Sequence, residues 1–263
     1  MLADEAEDKA IAAIVNLKGE IQRDENRPGR PVTWISFSRF GVVKGGLNSL
    51  VSPKELVGLW LSHPTVTDAT LKEVAAFTNL EELGMIGANV TDVGLKELST
   101  LKKLKELWIR HTKVTDVGLK QLVNLHNLQC LDLRNTSVTD AGLKELIALK
   151  NLEMLLLDDT NVTDAGMKVL ANLKNLQMLC LDDTKVTDAG IREIGCLTHL
   201  TSLSLDFTAV TDTGLKELVS LKKLRSLNLI DTKVTDAGVK KLEKALPRCQ
   251  ILRPTKSVFH PIP

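Results

Sequence analysis

Apolar residues along this chain change their spacing twice in every 24 residues, and they do so in register for most of its length. In the stretch from Leu128 to Asn151 (LQCLDLRNTSVTDAGLKELIALKN) the first half alternates apolar and polar residues, as at Leu131, Asp132 and Leu133. That is the two-residue period of a strand with one face buried. The second half spaces its apolar residues by three, at Leu143, Leu146 and Leu149, which suits one short helix. The tripeptide Val-Thr-Asp marks the unit and begins at Val66, Val90, Val114, Val138, Val162, Val186, Val210 and Val234. A degenerate ninth copy precedes these, through Val32, Ile35, Phe37, Val42, Gly46, Leu47 and Leu50. A strand and a helix repeated nine times at one fixed period predict a coil in which each unit packs on its neighbours.

The units and their ends predict three parts. Residues 1–31 form an N-terminal cap of helix and strand, 32–247 the nine repeats, and 248–263 a C-terminal cap strand and irregular tail. The capping helix is expected over Asp4 to Leu17, ended by Gly19, and Cys249 to Leu252 adds a last strand. Exposed core leucines at the ends of such an array make caps necessary. Gly94, Gly118, Gly142, Gly166, Gly190, Gly214 and Gly238 recur before the helix and suggest a tight backbone turn, with Thr70 the exception. Each Asp of the tripeptide stands four residues before a Lys or Arg, from Asp68 and Lys72 to Asp236 and Lys240. A carboxylate there would cap the helix, complement its dipole and pair at i,i+4.

The pattern LxxLxLxxTxVTDxGLKELxxLxx resembles the leucine-rich repeat family, whose signature LxxLxLxxN/CxL matches Leu152, Leu155, Leu157 and Val162 in register. The family's usual Asn or Cys is replaced by Thr at Thr112, Thr136, Thr160, Thr184, Thr208 and Thr232. The VTDAGLKEL form is similar to bacterial, planctomycete-like repeats. The resemblance implies an α/β fold: a right-handed solenoid or horseshoe with one parallel sheet on the concave face and short helices on the convex face. It also implies a binding scaffold, since the family consists mostly of such proteins.

Composition narrows the partners. Lys plus Arg number 34 against 33 for Asp plus Glu, so no global field draws the chain to nucleic acid or to an anionic membrane. Nowhere do eighteen apolar residues run together, and no membrane span is expected. The chain is expected to be a soluble monomer, cytoplasmic or exported after loss of a signal peptide. The sequons at Asn89, Asn135 and Asn161 matter only in a glycosylating secretory pathway. Cys130, Cys180, Cys196 and Cys249 show no CxxC or metal-ligand spacing and read as small hydrophobes.

Strand alternation sends the third, fifth and seventh positions of each unit to the open face. The third holds Trp34, Gly58, Glu82, Glu106, Cys130, Met154, Met178, Ser202 and Ser226, and the fifth holds Ser36, Trp60, Gly84, Trp108, Asp132, Leu156, Cys180, Ser204 and Asn228. Large apolar residues at positions the core does not require are the currency of binding surfaces. Trp34, Trp60, Trp108, Met154, Leu156 and Met178 are therefore candidates for contact with a protein partner. For Trp34 and Trp60, burial beneath the N-terminal cap is the competing reading.

The seventh position adds Arg110, Arg134, Asp158, Asp182 and Asp206, with His111 beside them. Stacked carboxylates on adjacent strands repel. A basic partner, bound Ca²⁺, or hydrogen bonds into the loops would each offset that repulsion. The main alternative to a binding scaffold is thus a structural or calcium-binding array built on this ladder. No cofactor is expected. Catalysis has little support: His63 and His111 share a repeat position but stand two strands, about 10 Å, apart, and no GxSxG, HExxH or phosphate-binding loop occurs.

Overall fold

The computed structural model describes residues 11, 12, 14, 19–37, 47 and 55–253. Among them, eleven strands follow one another in chain order across one sheet: β1 (Glu20–Arg23), β2 (Val32–Ser36), β3 (Gly58–Trp60), β4 (Glu82–Gly84), β5 (Glu106–Trp108), β6 (Cys130–Asp132), β7 (Met154–Leu156), β8 (Met178–Cys180), β9 (Ser202–Ser204), β10 (Ser226–Asn228) and β11 (Gln250–Leu252). β1 runs antiparallel to β2, with Gln22 opposite Trp34. From β2 to β11 every neighbour is parallel and offset by one 24-residue unit, as where Leu107 faces Leu131. The central leucine of each strand from β3 to β10, such as Leu131 and Leu155, is sealed from water, and Ile35 takes that place in β2. This row packs against the leucines of the short helices, Leu95 and Leu98 among them, in one continuous and almost wholly aliphatic core.

The expected helix over 4–17 lies outside the described residues except for Ile11, Ala12 and Ile14, which are helical. Ile14 is fully buried, and its carbonyl accepts the Gly19 N–H at 2.8 Å. Of the degenerate first unit, Val32, Ile35, Phe37 and Leu47 are core residues. Val42, Gly46 and Leu50, and the tail from 254 onward, also lie outside the described residues.

The helices begin at the repeated tripeptide, but its parts act differently from the expectation. Thr, not Asp, is the N-cap: the Thr91 hydroxyl accepts the Val93 N–H at 3.2 Å, and Thr115, Thr139, Thr163, Thr187 and Thr211 do the same. Asp68 reaches out of its own unit. One oxygen accepts the Thr91 N–H at 2.8 Å and the other its hydroxyl at 2.7 Å. The arrangement recurs at every step to Asp212 and Thr235. The expected i,i+4 pairs of Asp68 to Asp212 with Lys or Arg are not among the ion pairs of the described residues, because both carboxylate oxygens already face threonine. At the last step the guanidinium of Arg253 meets Asp236.

The repeated glycines also have a different cause. Their backbone is not left-handed. Each lies against the Asp of the preceding unit, so that a β-carbon on Gly94 would overlap the Asp68 carboxylate and one on Gly118 that of Asp92. Thr70 fits this rule, because the residue one unit before Asp68 is Lys44 and supplies no such carboxylate. Its hydroxyl instead accepts the Thr67 N–H at 3.2 Å in a capping box. At the position where the family carries Asn or Cys, the Thr112 hydroxyl donates to the Ile109 carbonyl at 2.7 Å, a bond repeated down to Thr232.

Candidate functional site

The face of the sheet turned away from the helices carries the residues that vary from unit to unit. At its N-terminal end the tryptophans lie sideways over glycines. A β-carbon on Gly58 would overlap the Trp34 indole, and one on Gly84 the Trp60 indole. Gly84 separates Trp60 from Trp108 in the fifth column, and the two rings close over it with centroids 6.1 Å apart and planes tilted by 32°. Edge-tilted pairs at this spacing are favourable beyond the area they bury. All three tryptophans are half-buried rather than free in solvent. For Trp34 and Trp60 the neighbouring glycines, together with β1 beside β2, account for that burial.

The third column places Glu82 directly opposite Glu106. The Trp60 indole N–H donates to Glu82 at 2.5 Å, and the Trp108 indole N–H donates to Glu106 at 3.1 Å. Burial pushes the Glu82 carboxyl above the usual range; the Trp60 donor opposes the shift and the charge on Glu106 adds to it. Beyond them the face turns sulfur-rich. Cys130 is buried with its thiol 3.4 Å from the Met154 sulfur, and Met178 continues the column. Burial, reinforced by nearby carboxylates, pushes the Cys130 and Cys180 thiols to about 12, which makes them poor nucleophiles. Cys196 departs from the expectation of a small buried hydrophobe, being exposed on the helical side beside Lys174.

At the ends of the strands Arg134 and Asp132 form a two-pronged pair at 2.9 and 2.7 Å, and Asp132 is wholly buried beneath it. The acidic ladder is answered inside the chain. Asp158 accepts the Asp182 N–H at 2.9 Å, Asp182 the Asp206 N–H at 2.8 Å, and Asp206 the Ile230 N–H at 2.6 Å. Ser62 does the same for Ile86 at 3.2 Å. These N–H groups stand where the strand ladder ends, and a side-chain oxygen from the unit before satisfies them. Repulsion still registers: burial first, and then the charge on Asp182, lift the Asp158 carboxyl to about 6, against the Asp182 N–H and Arg134. Asp206 is raised for the same leading reason. Among the described residues no group of three or more His, Cys, Asp or Glu is placed to hold a metal ion.

From the third unit to the ninth the next residue is left-handed: Gly87, His111, Asn135, Asp159, Asp183, Phe207 and Asp231 have φ between 51 and 69°. Gly, Asn and Asp tolerate that conformation, so their presence is conformational before it is functional. Phe207 has no such excuse, and it is 56% exposed. Together with Arg110, His111, Arg134, Asp158, Asp159, Asp182 and Asp183 it lines an open depression of about 340 Å³. The sequence did carry a signal for Phe207: it is the one aromatic in a column that otherwise holds Arg, His, Gly, Asn and Asp.

Two candidate residues contribute less surface than their columns promised. Leu156, between Asp132 and Cys180, is 6% exposed, and Asp206 is 9% exposed. The fifth column is close-packed here, so alternation gives the direction of a side chain but not its accessibility.

A family model described as a leucine-rich repeat region matches residues 111–257, more than half of the chain. The chain belongs to the leucine-rich repeat family. Leucine-rich repeat proteins are typically protein-interaction scaffolds. Among solved structures the chain is similar to internalin C2 from Listeria monocytogenes, with 24% identity, 85% of this chain and 81% of that one covered, and a TM-score of 0.62. It is also similar to another internalin of that organism, inlF, with 20% identity, 95% and 75% covered, and a TM-score of 0.50. At such identities the likeness establishes the leucine-rich repeat solenoid and no more. No curated protein matches the chain in sequence. Among the described residues, no helix is long and apolar enough to cross a membrane.

Proposed function

We propose that the chain is a non-catalytic scaffold that recognises a protein partner through the open, concave face of its sheet and acts as a monomer. Residues 1–31 and 248–263 serve as its caps and 32–247 as the recognising array. The observation that carries this reading is the tryptophan pair closed over Gly84. The fold needs only the alternate residues of β3 to β5 in its core, so these two indoles serve something else. Partly exposed tryptophan is the residue most enriched among the few that dominate binding energy. Trp34 extends the patch on one side, and Met154 and Met178 continue it with soft, adaptable surface on the other. Arg110, His111, Arg134, Asp158 and Asp182 give it a polar margin with charges of both signs, and Phe207 lies beside them.

The test is affinity capture with the intact chain and with Trp108→Ala, each first checked for an unchanged circular-dichroism spectrum, followed by titration of the captured protein. Binding is expected to weaken by roughly thirtyfold, the equivalent of about 2 kcal/mol for a central contact residue. Equal affinity of the two chains for every captured protein would remove the open face as the recognition surface.

A further inference from the structure

We propose that Trp60, Trp108, Glu82 and Glu106 together form a receptor for a cationic side chain, an arginine or lysine offered by the protein partner. This deepens the reading of the open face as the recognition surface and rests on it. Glu82 and Glu106 are the only charged residues in the third column of the nine units, and they stand side by side. Each holds an indole N–H, which is a neutral donor, and neither is in an ion pair among the described residues. The chain's own nearby cations are turned elsewhere. Arg134 is held by Asp132, and Arg110 lines the depression at the strand ends, in no ion pair with either glutamate.

Two carboxylates at neighbouring positions of a parallel sheet repel each other, and partial burial sharpens the cost. A cation set between them removes the repulsion. Beside them are two indole faces, the aromatic surface that attracts guanidinium and ammonium groups most strongly. The flat guanidinium combines stacking on such a face with forked donation to a carboxylate, so arginine is the better fit. The third column continues from Glu106 through Cys130 to Met154, two strands away, so apolar surface for the rest of the partner segment begins beyond the carboxylates. The aspartate ladder is a weaker receptor, because its carboxylates already accept backbone N–H groups.

The chain contains three tryptophans and no tyrosine, so its intrinsic fluorescence reports on this patch. The experiment titrates the full chain with a capped Gly-Arg-Gly-Arg-Gly peptide, with the same peptide carrying citrulline for arginine, and with a soluble glucan oligosaccharide. Concentrations run to about 10 mM, enough to reach the weak affinity of one or two contacts. The arginine peptide is expected to change the emission saturably, the citrulline peptide not, and added salt to weaken the effect. The variant Glu82→Gln/Glu106→Gln keeps acceptors for both indoles and is expected to lose about tenfold in affinity with an unchanged melting curve. Binding of the citrulline peptide or of the glucan as tightly as the arginine peptide overturns the proposal, as does full affinity in the double variant or no saturable response at all. A captured partner that depends on Trp108 but not on the two glutamates sinks only this inference. Capture indifferent to Trp108 sinks the reading beneath it.

Discussion

The protein stacks aspartates twice, once beneath its helices and once along the ends of its strands, and the two stacks differ in how their charge is met. Beneath the helices each carboxylate from Asp68 to Asp212 gives both oxygens to a single Thr of the next unit. The residue type never varies and no oxygen is left over. Along the strand ends Asp158, Asp182 and Asp206 each accept one backbone N–H, the stack covers only part of the array, and Asp158 remains uncomfortable as an anion. Invariance with complete satisfaction marks architecture. Variation with incomplete satisfaction marks the surface where sequence is free to serve something outside the chain.

The sharpest break of that contrast is to delete one carboxylate from each stack. Asp116→Ala removes two charge-assisted bonds and leaves the Thr139 N–H without its acceptor, a loss of about 3 kcal/mol. For a domain of this size that lowers the melting temperature by roughly 6 to 12 °C. Asp182→Asn keeps an acceptor and removes a repelling charge, so thermal unfolding is expected to shift little. Similar falls in the two variants would erase the distinction between the stacks.

A second break tests why the glycines are there. Gly142→Ala drives a β-carbon into the Asp116 carboxylate and is expected to cost about 1 to 3 kcal/mol as overpacking, despite alanine's better helix propensity. In the double variant Asp116→Ala/Gly142→Ala the space is vacant, so the two costs should sum to less than their parts in a double-mutant cycle. Strict additivity would mean that the glycines answer to a local turn after all.

The smallest effect sharpens the other side. The folded Asp158 carboxyl titrates at about 6, above its ordinary value of 3.8, so the folded chain binds a proton that the unfolded chain releases. Stability from that proton is fully present below the ordinary carboxylate range and is lost as pH rises through about 6. Asp158→Asn should therefore raise the melting temperature at neutral pH, by no more than about 2 to 4 °C for 1 kcal/mol once screening and Arg134 are allowed for. The advantage should vanish on acidification toward pH 4. A pH-independent gain would assign the effect to something other than this charge.

The coarse architecture was legible in the sequence because burial imposes it locally: Leu131 and Leu133 must share one face, and Leu143, Leu146 and Leu149 one helix stripe. The partners of the repeated tripeptide were not legible, since Asp68 and Thr91 lie almost a whole unit apart and nothing adjacent to either announces the bond. A helix-capping reading of Asp was the local solution, and the packing of units overrode it. The tryptophans were placed on the correct face by alternation alone. That Trp60 and Trp108 would meet over Gly84 depends on reading three units side by side, where the missing side chain of one makes room for its neighbours. Leu156 and Asp206 failed as surface residues for the converse reason, because their neighbours leave no room.

The bond from Asp to the following Thr has a direction, and the direction has an evolutionary corollary. Every joint between successive units from Asp68 to Thr235 is made by the same three residues, Asp, Thr and Gly, while Arg253 closes the last. A whole unit copied or excised anywhere in that stretch would find identical joints above and below it, whereas gaining or losing a single residue would throw donor and acceptor out of step. The array can thus grow or shrink by internal duplication, like a head-to-tail polymer with distinct end groups, and change the span of its open face without inventing any new contact.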